Sequence, residues 1–293
     1  MSAPSPHTRG FLLTLAGVLV LTPDTLLVRL LDGDPFTVTT CRGLLSGITI
    51  LLGFAWARGP RAIDETRALG VSGVAVGVLY AINAVFFVLA LHHTSVANTL
   101  VILATTPLIA ASMSFFVLRE RASPATWAAI VAALVGITVV VWDGLGRGTA
   151  RGDAYALVTA ASLAASLVVI RRRRDLNMVP ATGLGALLSG LVMLPMSGIG
   201  ALSLEQVGYA LAMGVVVLPV AFAALTLGPR TVPAPEVALL LLLETVLGPL
   251  WVWLGVGERP GTAALVGGAI VVGTLVVHSA WRLRPGATMA PNR

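Results

Sequence analysis

The chain has 293 residues, 57% hydrophobic and only 11% charged, against about 25% charged in an ordinary soluble domain. With a mean hydropathy of +0.93, it has too few charges to coat so much apolar surface in water. A soluble enzyme, a nucleic-acid-binding protein and a disordered chain are therefore excluded, and the pI of 10.9 becomes a matter of topology, because the basic residues sit in short clusters between apolar runs.

The apolar runs are continuous and do not alternate, which argues against a β-barrel. A hydrocarbon core of about 30 Å asks for about 20 helical residues per crossing, so ten crossings use about 200 residues and leave enough for short loops. The first apolar run begins at Phe11 and resembles a signal peptide, but it continues to about Leu31 with no small-x-small cleavage site, so it is expected to stay as the first span. Further spans are expected near 36–57, 68–91, 95–118, 125–142, 153–170, 178–198, 204–227, 234–255 and 262–281. Ser123-Pro124 reads as a helix cap followed by proline at the first helical position. Cys41 is the only cysteine, so no disulfide forms within the chain, and no cofactor, metal or GxxxxGK[ST] nucleotide pattern is present.

All 19 basic residues are arginine. If the N-terminus is cytoplasmic, 14 of them fall on the cytoplasmic side, 4 on the outer side, and Arg42 lies inside the second span. That excess predicts cytoplasmic termini in a cell (inner) membrane. The run Arg171 to Arg174 is a topology anchor first and a lipid-headgroup site second.

The chain repeats itself. Residues 34–47, DPFTVTTCRGLLSG, align without gaps on 177–190, NMVPATGLGALLSG, and 115–121, FFVLRER, on 253–259, WLGVGER. Five spans follow each starting point, and because five is odd the second copy enters the membrane upside down. Weak inverted repeats mark secondary transporters, in which one half rocks against the other around a midplane site. The expected fold is all-α and polytopic: ten transmembrane helices as two inverted five-helix repeats. The expected units are a cytoplasmic tail (1–10), a first repeat (11–142), an outer linker (143–152), a second repeat (153–281) and a cytoplasmic tail (282–293).

These residues resemble the drug/metabolite transporter superfamily, EamA type, over nearly the whole chain. Thr106-Pro107-Leu108 and Leu118-Arg119-Glu120-Arg121 carry the likeness in the first half; Leu243-Glu244-Thr245-Val246 and Gly257-Glu258-Arg259 carry it in the second. Arg42 matches a frequent family arginine. Glu244-Thr245 stands where the family usually has Glu-Pro, which removes a kink, although Pro249 follows a turn later. The resemblance implies ten helices in two repeats and export of small metabolites such as amino acids or drugs.

Ionisable groups inside a bilayer are expensive and need partners. Asp24 lies seven residues before the outer end of the first span, and Arg42 a similar distance into the second. Equal depth on adjacent antiparallel helices predicts an Asp24–Arg42 pair, either a structural ion pair or a substrate site in which Arg42 holds a carboxylate. Glu244 sits near the middle of the ninth span as a proton site, an ammonium anchor or a neutral carboxyl bonded to a neighbouring helix. Tyr80, Asn83, Asn98 and Trp251 complete the candidate substrate site with aromatic walls and a few polar groups. The stripe Tyr155, Thr159, Ser162 and Ser166 shares one face of the sixth span, where packing competes with a cavity role. The GxxxG spacings Gly43–Gly47 and Gly73–Gly77 are read as packing within a monomer. His92 and His93 belong to the outer rim, and Glu120 and Glu258 to symmetric loops.

The expected function is a secondary exporter of small metabolites, with amino acids the leading class, working with the bilayer and protons as partners. A multidrug exporter of lipophilic cations is the alternative, and suits two intramembrane acids beside aromatic residues. No HExxH, GxSxG or carboxylate-rich cluster supports an enzyme.

Overall fold

The computed structural model describes residues 5–140, 142, 149–257 and 261–282. Among them, nine helices are long and apolar enough to cross a membrane, and Pro124–Val140 is a shorter apolar tenth. The first span runs Pro6–Leu31 and starts earlier than the expected 11, because Ser5 caps the Thr8 amide at 3.1 Å and Pro6 fills the first helical position. It is broken at Thr22-Pro23 into Pro6–Leu21 and Asp24–Leu31, since proline cannot return a backbone N–H to the preceding turn.

The second span, Pro35–Arg58, is capped by Asp34, which accepts the amides of Phe36 (2.9 Å) and Thr37 (3.0 Å). Burial raises the Asp34 carboxyl, but the Thr37 hydroxyl and these two amides outweigh it and hold it below its ordinary value. A short charged helix, Arg61–Ala68, precedes the third span, Gly70–His93. The fourth, Asn98–Leu118, begins inside the helix Val96–Leu103, breaks before Thr106–Met113 and ends in a wide π turn, Ser114–Leu118. The second repeat supplies Ala150–Arg172, Val179–Met196, Leu204–Arg230, Ala234–Val256 and Thr262–Trp281 as spans six to ten. Thr149 caps the sixth span through the Gly152 amide, so that helix begins at Ala150, ahead of the expected 153.

The inversion is visible in the closest helix seams. A Cβ added to Gly47 would lie 2.6 Å from Leu187 N, and one added to Gly190 would lie 2.6 Å from Leu44 N. Gly47 and Gly190 are aligned partners in the repeat, as are Leu44 and Leu187, so one contact is made twice about a pseudo-two-fold axis. Pairs 43–190, 47–187 and 50–183 run in opposite order along the second and seventh spans, which are therefore antiparallel. Gly136 and Gly267 make the same reciprocal approach between the fifth and tenth spans. Backbones this close gain dispersion that Leu-lined helices in lipid lack. Gly43, Gly47 and Gly77 are thus spent on contacts inside the chain, while the space beside Gly73 is filled by Leu69.

The two ends of the bundle differ. With an even number of spans, both termini lie at one end, called here the terminal end. There the sixth span packs on the turn Gly228–Arg230. The equivalent elements at the far end, Asp24–Leu31 against the close of the third span and against Val96–Leu103, make no comparable contact among the described residues.

Candidate substrate and proton site

The break in the first span sets Asp24 at the start of the half-helix Asp24–Leu31, 2% exposed. One turn into the second span's core, Arg42 donates from Nη1 to Asp24 Oδ2. The second carboxylate oxygen, Asp24 Oδ1, is buried without a hydrogen-bond partner. The Arg42 side chain keeps 29% of its accessible area. Ser46 fastens the turn below it by donating to the Arg42 carbonyl.

Glu244 and Tyr80 are half-buried in the same region. The charges of Asp24, Arg42 and Glu244 act on one another, and all three act on the Tyr80 hydroxyl. Tyr80 stands with its ring edge-on to Phe222 at 5.2 Å. It can stand there because residue 185, the repeat partner of Arg42, is glycine: a Cβ on Gly185 would lie 2.9 Å from the Tyr80 Cβ. Glu244 likewise replaces Thr106 of the first repeat, whose buried hydroxyl bonds only to its own helix at Leu103 (2.6 Å).

The structure brings together Asp24, Arg42, Tyr80 and Glu244. It gives the other three candidates different partners. Asn83 donates to the Thr159 carbonyl at 3.0 Å, tying the third span to the sixth. Asn98 donates to Asp153 at 3.2 and 3.4 Å near the far end. Trp251 donates its indole N–H to the Thr22 hydroxyl at 2.9 Å, across the break in the first span. The polar stripe on the sixth span is satisfied locally: Thr159, Ser162 and Ser166 donate to carbonyls of their own helix. Sequence reasoning missed Asp153, Thr22, Phe222 and Gly185. The links of Asp153 to Thr94 at 2.6 Å and to Asn98 at 3.2 Å show that it crosses between repeats.

The sequence pattern of the EamA-like transporter family matches residues 8–142 and, a second time, 150–280. The chain belongs to the EamA-like transporter family. The EamA match divides at the same place as the structural repeat. A solved structure titled only "Crystal structure of protein" is similar over 94% of this chain and 99% of its own, with a TM-score of 0.76 at 20% identity, which supports the fold alone. No curated protein matches. As an EamA member, this chain is a multi-pass membrane transporter of the drug/metabolite superfamily. Glu258, which belongs to the sequence motif of the second repeat, lies outside the described residues.

Proposed function

We propose that this transporter exports small zwitterionic metabolites, with amino acids as the leading class, and exchanges a proton at Glu244 or Asp24. One observation carries the reading: both signs of charge meet in one region between the repeats with bonding capacity left over. Arg42 has given one N–H to Asp24, and its other guanidinium N–H groups have no protein partner among the described residues. Those donors suit a substrate carboxylate. Asp24 Oδ1 and Glu244 suit an ammonium group, with the Tyr80 ring alongside. Alternating access would open the site to one end and then to the other as the repeats rock. The arginine excess supports an inner-membrane orientation with the terminal end cytoplasmic, and the site needs only one chain.

A second reading, export of lipophilic cations, is favoured by the same ion pair. If Asp24 neutralises Arg42, Glu244 is the charge left to meet a cation, with aromatic walls for the apolar part. A thermal-stability screen of purified protein separates the two. A ligand at 100 times its Kd adds about 2.7 kcal/mol. Stabilisation by amino acids that disappears in Arg42→Ala supports the zwitterion reading; stabilisation by cations alone, lost in Glu244→Gln, replaces it. Full pH-gradient-driven flux in both Glu244→Gln and Asp24→Asn would sink proton exchange at these carboxyls.

A further inference from the structure

The fourth span ends unusually. Its last turn, Ser114–Leu118, widens into a π turn, and Arg119 follows with φ of 57°. A non-glycine residue in the left-handed region is strained and persists only where surrounding contacts hold it. The Glu120 amide returns to the Ser114 carbonyl at 3.3 Å, and the reversal aims the Glu120 carboxylate back at the sixth span. There Arg171 receives it: Nε lies 3.1 and 3.3 Å from the two carboxylate oxygens, and Nη2 lies 3.0 Å from Oε1.

Arg171 has donors left over, and they reach a third element. Nη1 donates to the carbonyls of Arg230 at 3.1 Å and Pro229 at 3.4 Å, in the turn that ends the eighth span. Helix-end carbonyls lack partners in their own helix and carry partial negative charge, so they accept a guanidinium well. Arg230 returns the contact, donating from Nε to the Arg174 carbonyl at 2.8 Å. Only 12% of the Arg171 side chain is exposed, so this is not a solvated surface charge. The contact of the sixth span on the turn that ends the eighth lies at the terminal end and has no comparable equivalent at the far end among the described residues.

We propose that Arg171 is the clip that shuts the terminal end of the transport path, and that Glu120 is the residue that positions it. Opening toward the terminal side requires Nη1 to leave the Pro229 and Arg230 carbonyls while Glu120 keeps the guanidinium on the sixth span. The repeat supplies a twin. Gly152 faces Thr94 as Gly10 faces Thr231, which aligns the sixth span on the first at a spacing of 142 residues. At that spacing Arg171 corresponds to Arg29, in the last turn of Asp24–Leu31. In the opposite state Arg29 closes on the carbonyl end of the third span, at His92 and His93. The proposal holds for any substrate and does not depend on the zwitterion reading.

The test uses the full chain with Cys41→Ala and a reporter, Leu167→Cys, one turn inside Arg171 on the same helix face and buried in the native protein. A membrane-impermeant maleimide is added to vesicles whose exposed face is identified by protease access to a C-terminal tag. Labelling from the terminal side is expected to be slow. Arg171→Ala or Glu120→Ala should raise its rate about tenfold, since losing the clip shifts the population toward the open state. The exposed neighbour provides the control: Arg172→Ala removes the same charge and should leave the rate unchanged. The exchange Glu120→Arg with Arg171→Glu rebuilds the ion pair but offers the carbonyls a carboxylate in place of a donor. It should recover thermal stability while labelling stays fast. Unchanged labelling in Arg171→Ala, or slow labelling in the charge exchange, would overturn the clip.

Discussion

The second and seventh spans hold matching places on either side of the pseudo-two-fold seam, yet they do different work. Their glycines answer one another, Gly47 on Leu187 and Gly190 on Leu44. Their caps answer too: Asp34 accepts the Phe36 amide at 2.9 Å, and Asn177 accepts the Val179 amide, its aligned counterpart, at 3.2 Å. At the next level the likeness stops. Arg42 pairs with Asp24 from one helix, and Gly185 leaves space beside Tyr80 and the Gly77 carbonyl on the other. Backbone packing is repeated because both halves must solve the same problem in lipid. Charge is not repeated, because one Arg–Asp pair fills the axis and a second beside it would need its own partners.

The sharpest break in that comparison is Arg42→Ala. It leaves Asp24 buried without its partner and should lower stability by about 3 kcal/mol, read as a large drop in the melting temperature in detergent. Gly185→Ala should also cost stability, because its new Cβ meets the Gly77 carbonyl oxygen at 2.5 Å before it reaches the Tyr80 Cβ at 2.9 Å. Replacing both charges, Asp24→Asn with Arg42→Gln, should recover most of the stability and none of the flux. Next come the seam glycines. Gly47→Ala and Gly190→Ala should lose stability by similar amounts, about 1–3 kcal/mol each, because each new Cβ meets the equivalent backbone atom at 2.6 Å. Gly53→Ala, with nothing within 4 Å, should be neutral or slightly stabilising. Unequal losses at Gly47 and Gly190 would mean that the seam is not symmetric in energy.

The two caps give a smaller effect. Asp34→Ala and Asn177→Ala should each cost about 1 kcal/mol, but only the first carries a pH dependence. The folded Asp34 carboxyl lies below its ordinary value of 3.8. Its contribution is therefore complete above that value and disappears as pH falls through the lower folded one. Melting curves across acid pH should show that loss in the native chain and in Asn177→Ala, and not in Asp34→Asn. The smallest effect belongs to Trp251→Phe, which removes one hydrogen bond across the break in the first span, about 0.5–1 kcal/mol. A thermal shift matched by Thr22→Val and no larger in the double variant would assign the loss to that bond.

The ten spans, their inversion and the Asp24–Arg42 pair were legible because each follows from a length, a parity or a depth across a short turn. The partners of Asn98 and Trp251 were not legible, for a common reason. Each donates to a residue distant in sequence, Asp153 and Thr22, and periodicity cannot assign a partner when most positions on every face are apolar. The early start at Pro6 and the break at Thr22-Pro23 were written locally, in a capping serine and a proline. The π turn at Ser114–Leu118 carries no comparable residue signature, and Glu120 consequently read as an ordinary loop acid.

The Asp24–Arg42 pair also bears on how the chain is made. The first span arrives at the membrane with a carboxylate and the second with a guanidinium, and each alone carries a charge that resists entry into hydrocarbon. Joined by the short turn around Gly33, they cancel within one hairpin. The first two helices therefore form the smallest unit of biogenesis in which these two buried charges are paired.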